Sequence, residues 1–338
     1  MKKIVVDIYG GDKAPIEIIE GCLLALKEVS DISIVMCGNQ AEIESYLADK
    51  SYDATRVEFV DAKDVITNDD APTVAIRTKK DSSIVKALEY TKENADAIGM
   101  VSAGSTGAVL AGATLKIGRI RGLQRPALAP LLPTLVPNKQ VMLCDCGANV
   151  DCKPEMLVQF AQMGHAFMQS MFGIENPRIG LLSNGTEDKK GNQLVHETFA
   201  LLKESNLNFV GNMEAREILS GDYDVVVADG FYGNVALKSI EGAALMVMKT
   251  IKKEVTANFK RKMGALLLKS AFADIKQVMD YNKKGGAPFV GVNKIVVKSH
   301  GSSDRVAICG SIKQVIDLDK SNFVENIKPY FAKVEENA

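Results

Sequence analysis

The sequence predicts an α/β fold with a mainly parallel, doubly wound sheet and three α/β/α layers. Short apolar segments, such as 3–8 and 32–37, alternate with segments whose apolar residues recur at helical spacing, such as 16–29. This alternation is typical of parallel strands joined by helices. The 338 residues, 46% of them hydrophobic, suffice for a single α/β domain over residues 1–330, made of two lobes that share a sheet.

The composition narrows the class of protein. The chain carries 41 Lys and Arg against 42 Asp and Glu and has no Trp, so it offers neither the basic field nor the aromatic platform of a nucleic-acid binder. Its six cysteines lie mostly in apolar segments, as in a reducing compartment. No apolar run approaches the ~18 residues of a membrane span. The N-terminus has no signal pattern, so we expect a cytoplasmic protein.

The first half of the chain alternates regularly. Strands are predicted at 3–8, 32–37, 57–60 and 97–101, and helices at 16–29, 41–47, 84–93 and 109–117. The polar segment 69–83 contains Arg77, Lys79 and Lys80, which suit either an anion site or a solvated connection. The proline-rich stretch 125–133 is typical of an extended crossover between lobes.

The second half repeats the pattern. Strands are predicted at 141–144, 178–183, 208–212, 224–228 and 294–298, and helices at 155–171, from the loop after Asn192 to 204, at 215–219 and at 306–318. The pattern from 235 to about 279 is helical, and Gly264 is the expected break.

Loops of small residues follow several predicted strands. The carboxyl ends of parallel strands meet at one edge of a sheet, so these loops would converge on one crevice, where free N–H groups and hydroxyls suit an anion. Gly10 and Gly11 lack the Gly-x-Gly-x-x-Gly spacing of a dinucleotide site. Ser105 and Thr106 supply hydroxyls in the second such loop.

The stretch 143–153, Leu-Cys-Asp-Cys-Gly-Ala-Asn-Val-Asp-Cys-Lys, joins a buried strand to a helix. Such a turn leaves backbone N–H groups that suit a phosphate or a developing oxyanion. Its Asp and Asn residues could orient groups there, or they could simply cap an ordinary turn. Cys144, Cys146 and Cys152 are close enough in sequence to suggest a metal site. However, the first two thiols would lie on the same face of one strand, at an unfavourable distance from the third.

A basic amphipathic segment covers 251–276. Seven Lys and Arg stand against two acidic residues, and apolar residues such as Met263, Leu266 and Leu267 fall near one face. A helix of this kind suits an anionic membrane surface or a second subunit, and both roles stay open. We expect the helical segment 240–280 to protrude as a hairpin for one or both contacts.

The last loop places His300 beside hydroxyls and Asp304. Residues of a single loop rarely reach the nucleophile–base–orienter geometry of a triad. A histidine that hydrogen-bonds its own loop or a substrate phosphate fits the pattern better.

Six ordered motifs together resemble the bacterial acyl-acyl carrier protein:phosphate acyltransferase family. They lie between residues 4 and 316 and comprise Gly10-Gly-Asp-Lys-Ala-Pro15, Ser102-Ala-Gly-Ser-Thr-Gly107, Gly147-Ala-Asn-Val-Asp-Cys-Lys-Pro154, Gly185-Thr-Glu-Asp-Lys-Lys-Gly-Asn192, Asp229-Gly-Phe-Tyr-Gly-Asn-Val235 and Lys298-Ser-His-Gly-Ser-Ser-Asp304. The resemblance implies a fold related to isopropylmalate dehydrogenases and phosphate acetyltransferases, a homodimer, and no metal or nucleotide cofactor. Ser105 stands where the family usually has Asn.

The resemblance also implies an activity. A fatty acyl group would move from the carrier protein's thioester to inorganic phosphate, giving acyl phosphate for phospholipid synthesis. The resemblance points to Lys190 as the residue that neutralises phosphate and to Asn234 as the one that orients the attacking oxygen or donates to the oxyanion. Further anion contacts are expected from the loops, at Gly10, Gly11, Asp12, Ser105, Thr106, Asn149, His300, Ser302 and Ser303.

The expected partners follow from that activity. They are acyl carrier protein, inorganic phosphate, a second copy of the chain, an anionic membrane surface that it meets peripherally, and the membrane acyl-phosphate:glycerol-3-phosphate acyltransferase. Three alternatives stay open: a covalent route through Cys152 or Cys144, a soluble phosphate acetyltransferase that uses coenzyme A, and a noncatalytic scaffold. The intact polar loops argue against the scaffold, and the basic segment 251–276 argues against the soluble enzyme.

Overall fold

The strands form two sheets. The computed structural model describes residues 1–279 and 285–332. The first sheet contains β1 (Lys2–Asp7), β2 (Ile32–Gly38), β3 (Val57–Asp61), β4 (Ala97–Ser102), β5 (Ala127–Leu128), β11 (Ala287–Val290) and β12 (Ile295–Lys298). The second contains β6 (Leu131–Pro133), β7 (Gln140–Cys144), β8 (Ile179–Ser183), β9 (Phe209–Glu214) and β10 (Val225–Val227).

Most neighbouring strands are parallel, which confirms the predicted α/β class. The strand orders are β3-β2-β1-β4-β12-β11-β5 and β6-β7-β10-β8-β9, and only the pairs that involve β11 or β6 are antiparallel among the described strands. We expected the two lobes to share one sheet, but the described strands form two separate sheets. The reason is the crossover at 127–133, because it forms the edge strand of one sheet and then the edge strand of the other.

Helices surround both sheets. Those of the first lobe are α1 (Ile16–Glu28), α2 (Gln40–Leu47), α3 (Pro72–Thr78), α4 (Ser83–Glu93), α5 (Thr106–Gly112), which continues as a π-helical turn at Ala113–Ile117, and α11 (Arg305–Lys320). The others are α6 (Pro154–Phe172), α7 (Gln193–Glu204), α8 (Gly230–Val255), α9 (Phe259–Leu267), α10 (Lys269–Met279), α12 (Phe323–Ile327) and α13 (Pro329–Ala332). Short 3₁₀ turns lie at Ala54–Arg56 and Ala215–Glu217.

Strand side chains alternate between two cores, as a three-layer arrangement requires. On β1, Ile4 and Val6 belong to the core on the α1 and α11 side, whereas Val5 belongs to the core that includes α4 and α5. On β10, Val225 packs with α6 on one face, and Val226 packs with α8 on the other. Both sheets are therefore buried on two faces, as expected of parallel strands.

The predicted polar connection 69–83 contains an unpredicted helix. In α3, Pro72 occupies the first turn, where its missing N–H costs nothing, and Ala75 and Ile76 are buried. One of the basic residues there, Lys79, pairs with Asp70 at 2.7 Å.

The chain projects from the core from the later part of α8 through α9 and into α10, since none of the residues 241–272 is buried. The expected break at Gly264 is wrong. The chain interrupts its helices at 256–258 and at Leu268, and Asn258 starts α9 by accepting a hydrogen bond from the Arg261 N–H at 3.0 Å. None of the helices in the described part of the chain is long and apolar enough to cross a bilayer.

Candidate active site

A cleft between the lobes gathers several of the strand-end loops. It has two adjoining chambers, one of about 480 Å³ and one of about 400 Å³. The first is lined by polar and small residues, among them Thr67, Asn68, Gly104, Ser105 and Gly301. The second has an apolar wall that includes Leu128, Pro130, Leu131, Met171, Phe172 and Leu237. Four residues line both chambers and mark their junction: Thr106, Lys238, Lys298 and His300.

The glycines after β1 allow three loops to meet in the polar chamber. Gly11 has φ +102°, and a Cβ there would lie 2.9 Å from both the Ala103 Cβ and the Gly301 oxygen. The Asp12 N–H donates to the Gly301 oxygen at 2.8 Å, which ties this loop to the one after β12. A Cβ at Gly10 would lie 2.6 Å from the Gly104 nitrogen, so Gly10 allows close packing of the two loops. Gly11 and Asp12 line the chamber, whereas Gly10 does not.

Asp7, at the end of β1, holds the loop after β4 in place beside the polar chamber. Its carboxylate is 2% exposed and accepts hydrogen bonds from the Ser83 and Ser102 hydroxyls at 2.6 and 2.7 Å. The Ser102 hydroxyl in turn accepts the Gly104 N–H at 3.0 Å. Burial raises the pKa of Asp7.

Lys298, at the end of β12, is a functional candidate that sequence reasoning left without a role. It is 8% exposed, and its ammonium donates to the Ser299 oxygen at 2.5 Å and to the Ala103 oxygen at 3.4 Å. Burial lowers its pKa to about 8. The available signal was a lysine at the end of a strand of three apolar residues, directly before a small-residue loop.

Asp145 organises the loop after β7. One carboxylate oxygen accepts the N–H groups of Leu128, Cys146 and Ala148, and the other accepts the backbone and side-chain N–H groups of Asn149. Burial raises its pKa to about 6. The Asn149 amide also donates to the Pro126 oxygen at 2.8 Å, and Asn149 does not line either chamber. Both side chains therefore hold the turn together, which is the capping role that the sequence left open.

Asn234 presents a free amide to the cleft. It follows Gly233, whose position has so little space that a Cβ would lie 1.9 Å from the Asp145 oxygen. The start of α8 is thus pressed onto the loop after β7, and the Asn234 side chain lies beside Gly147, which has φ +100°. The Asn234 carboxamide makes no hydrogen bond with any described residue, and it lines the 400 Å³ chamber.

Lys190 lies outside the cleft. Its side chain is exposed in the loop after β8, packs over Gly185, and makes no ion pair with a described residue. It lines neither chamber of the cleft. Its neighbours Gly191 and Asn192 line a separate, largely apolar pocket of about 670 Å³, which includes Val235 and Ser239 of α8. The structure therefore brings Asn234, Thr106 and His300 to one cleft but leaves Lys190 outside it.

The loop after β12 places His300 on the cleft. The Ser302 N–H donates to His300 Nδ1 at 3.2 Å, so in the neutral ring the proton lies on Nε2. Burial and the nearby Lys238 lower the pKa of His300. Ser302 and Ser303 do not line the chambers. Asp304 caps α11 through the Val306 and Ala307 N–H groups, and this occupation disfavours a triad further.

The cysteines are poor nucleophiles in this setting. Cys144 is fully buried, and burial raises its pKa well above the usual value. Cys152 is partly buried with a pKa raised to about 12, and its thiol lies 3.3 Å from the Asn149 oxygen. Cys146 lines the cleft, but burial raises its pKa too, and its thiol lies 3.3 Å from the Gly233 oxygen. Because the thiolate is the reactive form, these environments argue against a covalent acyl intermediate.

The arrangement of two α/β lobes with an interlobe cleft is that of the phosphotransacylase fold. A phosphotransacetylase from Streptococcus pyogenes superposes with a TM-score of 0.60 at 16% identity, covering 96% of this chain and 94% of that chain. A branched-chain phosphotransacylase from Enterococcus faecalis V583 gives a TM-score of 0.57 at 13% identity, covering 94% and 98%. These likenesses concern the fold.

Sequence similarity identifies the family. The model of the fatty acid synthesis protein family matches residues 2–326, and the chain belongs to that family. A phosphate acyltransferase from Clostridium novyi is 47% identical over 328 residues, covering 97% of this chain and 98% of that protein. One from Clostridium tetani is 46% identical over 333 residues, covering 98% and 99%. The chain is accordingly an acyltransferase of lipid biosynthesis.

Proposed function

We propose that the enzyme transfers a fatty acyl group from acyl carrier protein to inorganic phosphate, and that this formation of acyl phosphate is the first step toward phosphatidic acid in phospholipid biosynthesis. The observation that carries the proposal is the cleft itself. A polar chamber that suits phosphate adjoins a chamber with an apolar wall that suits an acyl thioester, and Lys238, Lys298 and the free Asn234 amide line them. The relatives named phosphate acyltransferase support the same reaction.

The chemistry requires positioning more than activation. A phosphate oxygen attacks the thioester carbonyl carbon, a C–O bond forms, and the C–S bond breaks as the pantetheine sulfur leaves and takes up a proton. Phosphate is already nucleophilic and the thioester already activated, so the protein supplies proximity and stabilises negative charge. The Asn234 N–H groups suit the developing oxyanion. Lys190 neutralises phosphate, either the free substrate or the phosphate on the pantetheine arm.

The decisive assay incubates the purified protein with palmitoyl-acyl carrier protein and phosphate, with palmitoyl-coenzyme A in parallel, and follows free thiol and acyl phosphate together. We expect phosphate-dependent release of both products from the carrier substrate. Release from coenzyme A alone would favour the phosphotransacetylase-like activity that the fold neighbours suggest. No release from either substrate would favour a noncatalytic scaffold.

Substitution tests the two residues that the family resemblance singled out. We expect Asn234→Ala to lower turnover roughly 10²-fold or more, because Asn234 lines the cleft and would stabilise developing charge there. Lys190→Ala should lower turnover as much if Lys190 neutralises the attacking phosphate, and should raise mainly the KM for acyl carrier protein if it contacts the phosphate of the pantetheine arm. Lys189→Ala is the matched control, because Lys189 is an exposed lysine of the same loop. Near-normal kinetics of either variant would remove that residue from the mechanism.

We also propose that the enzyme is a homodimer that meets an anionic membrane peripherally and delivers its product to the membrane acyl-phosphate:glycerol-3-phosphate acyltransferase. Exposed apolar residues of the projecting helices support this, among them Phe259 (78% exposed), Leu266 (63%) and Leu267 (86%). A product with a long acyl chain would be consumed most readily at a bilayer. The lysines of the same segment suit anionic lipid.

A further inference from the structure

Among the lysines whose side chains the structure describes, Lys298 is the one that is both buried and lines a cleft. It is 8% exposed, yet no carboxylate lies within 4 Å of its ammonium among the described residues. A buried charge without an ion-pair partner is costly, and an anionic ligand would relieve that cost. The position therefore calls for an anion.

The hydrogen bonds of Lys298 leave room for such a ligand. Two of its three N–H donors reach the Ser299 and Ala103 oxygens, and the second of these contacts is long, at 3.4 Å. Lys298 lines both chambers. The remaining donor is therefore available to a ligand at their junction, where the thioester carbon and the attacking phosphate would have to meet.

Resting on the proposed function, we infer that Lys298 binds the attacking inorganic phosphate at the junction of the two chambers. Thr106 and the His300 Nε2–H, which line the same junction, can donate to the remaining phosphate oxygens. Lys190, outside the cleft, is then free to contact the phosphate of the pantetheine arm.

The charges around Lys298 make its role dependent on pH. Burial and Lys238 disfavour its cationic form, whereas Asp7 and Asp12 favour it, and the net effect is a pKa of about 8. The cation is present below pH 8 and is lost as the pH rises through that value. Phosphate affinity should therefore fall at alkaline pH, and Lys298→Arg should move this fall to higher pH because a guanidinium keeps its charge.

The chain offers a matched control for a purely structural role. Lys294, directly before β12, also donates to two backbone oxygens, those of Asn94 and Ala97, but it does not line the cleft. If Lys298 only held neighbouring loops together through its hydrogen bonds, Lys298→Met and Lys294→Met should have similar effects on phosphate binding and on the KM values.

The experiment measures binding of inorganic phosphate by titration calorimetry, and the KM for phosphate and for palmitoyl-acyl carrier protein, in the full-length protein. We expect Lys298→Met to weaken phosphate binding and raise the phosphate KM at least about tenfold, with the carrier KM changed less than about threefold. Lys294→Met should leave both constants near those of the wild type. An unchanged phosphate affinity in Lys298→Met, or an equal rise in both KM values, overturns the inference.

Two further measurements cover the cases in which Lys298→Met unfolds or the wild type shows no acyl transfer. If Lys298→Met unfolds, the wild type and Lys298→Arg are compared from pH 7 to pH 9.5, and a phosphate affinity that does not fall near pH 8 in the wild type overturns the inference. If the wild type shows no acyl transfer, the proposed function fails, yet calorimetry with phosphate alone still decides the role of Lys298. A wild type that binds no phosphate overturns it as well.

Discussion

At the residue scale, Asp145 shows how one buried carboxylate sets the shape of the site. It accepts hydrogen bonds from four successive or nearby backbone and side-chain donors of its own loop and one from Leu128 across the crossover. The turn that carries Gly147 toward Asn234 thus depends on an acceptor that offers two oxygens. An amide cannot replace it, since one of its two terminal atoms is a donor.

We therefore expect Asp145→Asn to destabilise the protein by about 2–4 kcal/mol, because its NH₂ group would face either the two Asn149 donors or the N–H groups of Leu128, Cys146 and Ala148. Urea unfolding measures the change. Asp151→Asn is the control, since Asp151 is exposed in the same loop, and its effect should stay within about 0.5 kcal/mol. Equal stability of the two variants would contradict the assigned role of Asp145.

Single residues also show where sequence reasoning stops. Asn234, Ser105, Thr106, Asp12 and His300 line the cleft, and each follows a predicted strand in a small-residue loop. Lys298 could not be assigned in the same way, because its burial arises from the pairing of β12 with β4, which joins residues about 200 positions apart. No local pattern carries that pairing. The same holds for Lys190, whose distance from the cleft follows from the side of α8 on which its loop lies.

At the element scale, the start of α8 is the part whose position matters most for the site. The Gly230 N–H donates to the Asn149 oxygen at 2.7 Å, and Gly233 allows the helix to touch the loop after β7. Farther along the same helix, Gly242 has nothing within 4 Å of its would-be Cβ. The two glycines thus provide a direct comparison within one helix.

We expect Gly233→Ala to cost about 1–3 kcal/mol, because the added methyl would collide with backbone and push α8 off the loop. Turnover should fall with it, since Asn234 is the next residue. Gly242→Ala should be neutral or stabilise by about 0.5–1 kcal/mol, as alanine favours an exposed helix over glycine. Urea unfolding and steady-state kinetics of both variants check this, and a Gly233→Ala enzyme with wild-type activity would show that the contact is not needed.

Elements with a clear apolar period were predicted close to their observed bounds. The helix predicted at 16–29 is α1 at Ile16–Glu28, and the strand predicted at 32–37 is β2 at Ile32–Gly38. Helix α3 was missed because it has only seven residues and lies in a polar segment. Its two buried residues give too few apolar positions to show a helical period. The break expected at Gly264 did not occur, because a single glycine is tolerated within an exposed helix whereas Asn258 actively caps one.

At the scale of the whole molecule, the cleft exists because the carboxyl ends of two sheets face each other. The prediction that the small-residue loops converge is met by the loops after β1, β4, β7 and β12, and the first turns of α8, which follows β10, line the same cleft. The loop after β8 is the exception and borders the separate apolar pocket. The sequence could not distinguish one shared sheet from two, since both consist of the same local elements and differ only in how the crossover pairs at its two ends.

The projecting helices pose the last question at this scale, whether their apolar face meets lipid or a second subunit. Met263→Glu combined with Leu267→Glu places two negative charges on that face, where the wild-type side chains are 49% and 86% exposed. We expect this variant to lose flotation with anionic liposomes, because it removes apolar area and opposes the attraction of the lysines to anionic lipid. Wild-type flotation should also weaken as salt is raised.

Leu135→Glu combined with Val210→Glu supplies the control, because both residues are exposed and apolar, lie outside the projecting helices, and carry the same change of charge. This variant should float as the wild type does. Size-exclusion chromatography with light scattering then separates the two roles. Loss of flotation by an intact dimer assigns the face to the membrane, whereas dissociation into monomers assigns it to the subunit contact. Unchanged flotation of a dimeric Met263→Glu/Leu267→Glu variant would rule out this face as the membrane contact, because two buried carboxylates in a bilayer surface would cost several kcal/mol.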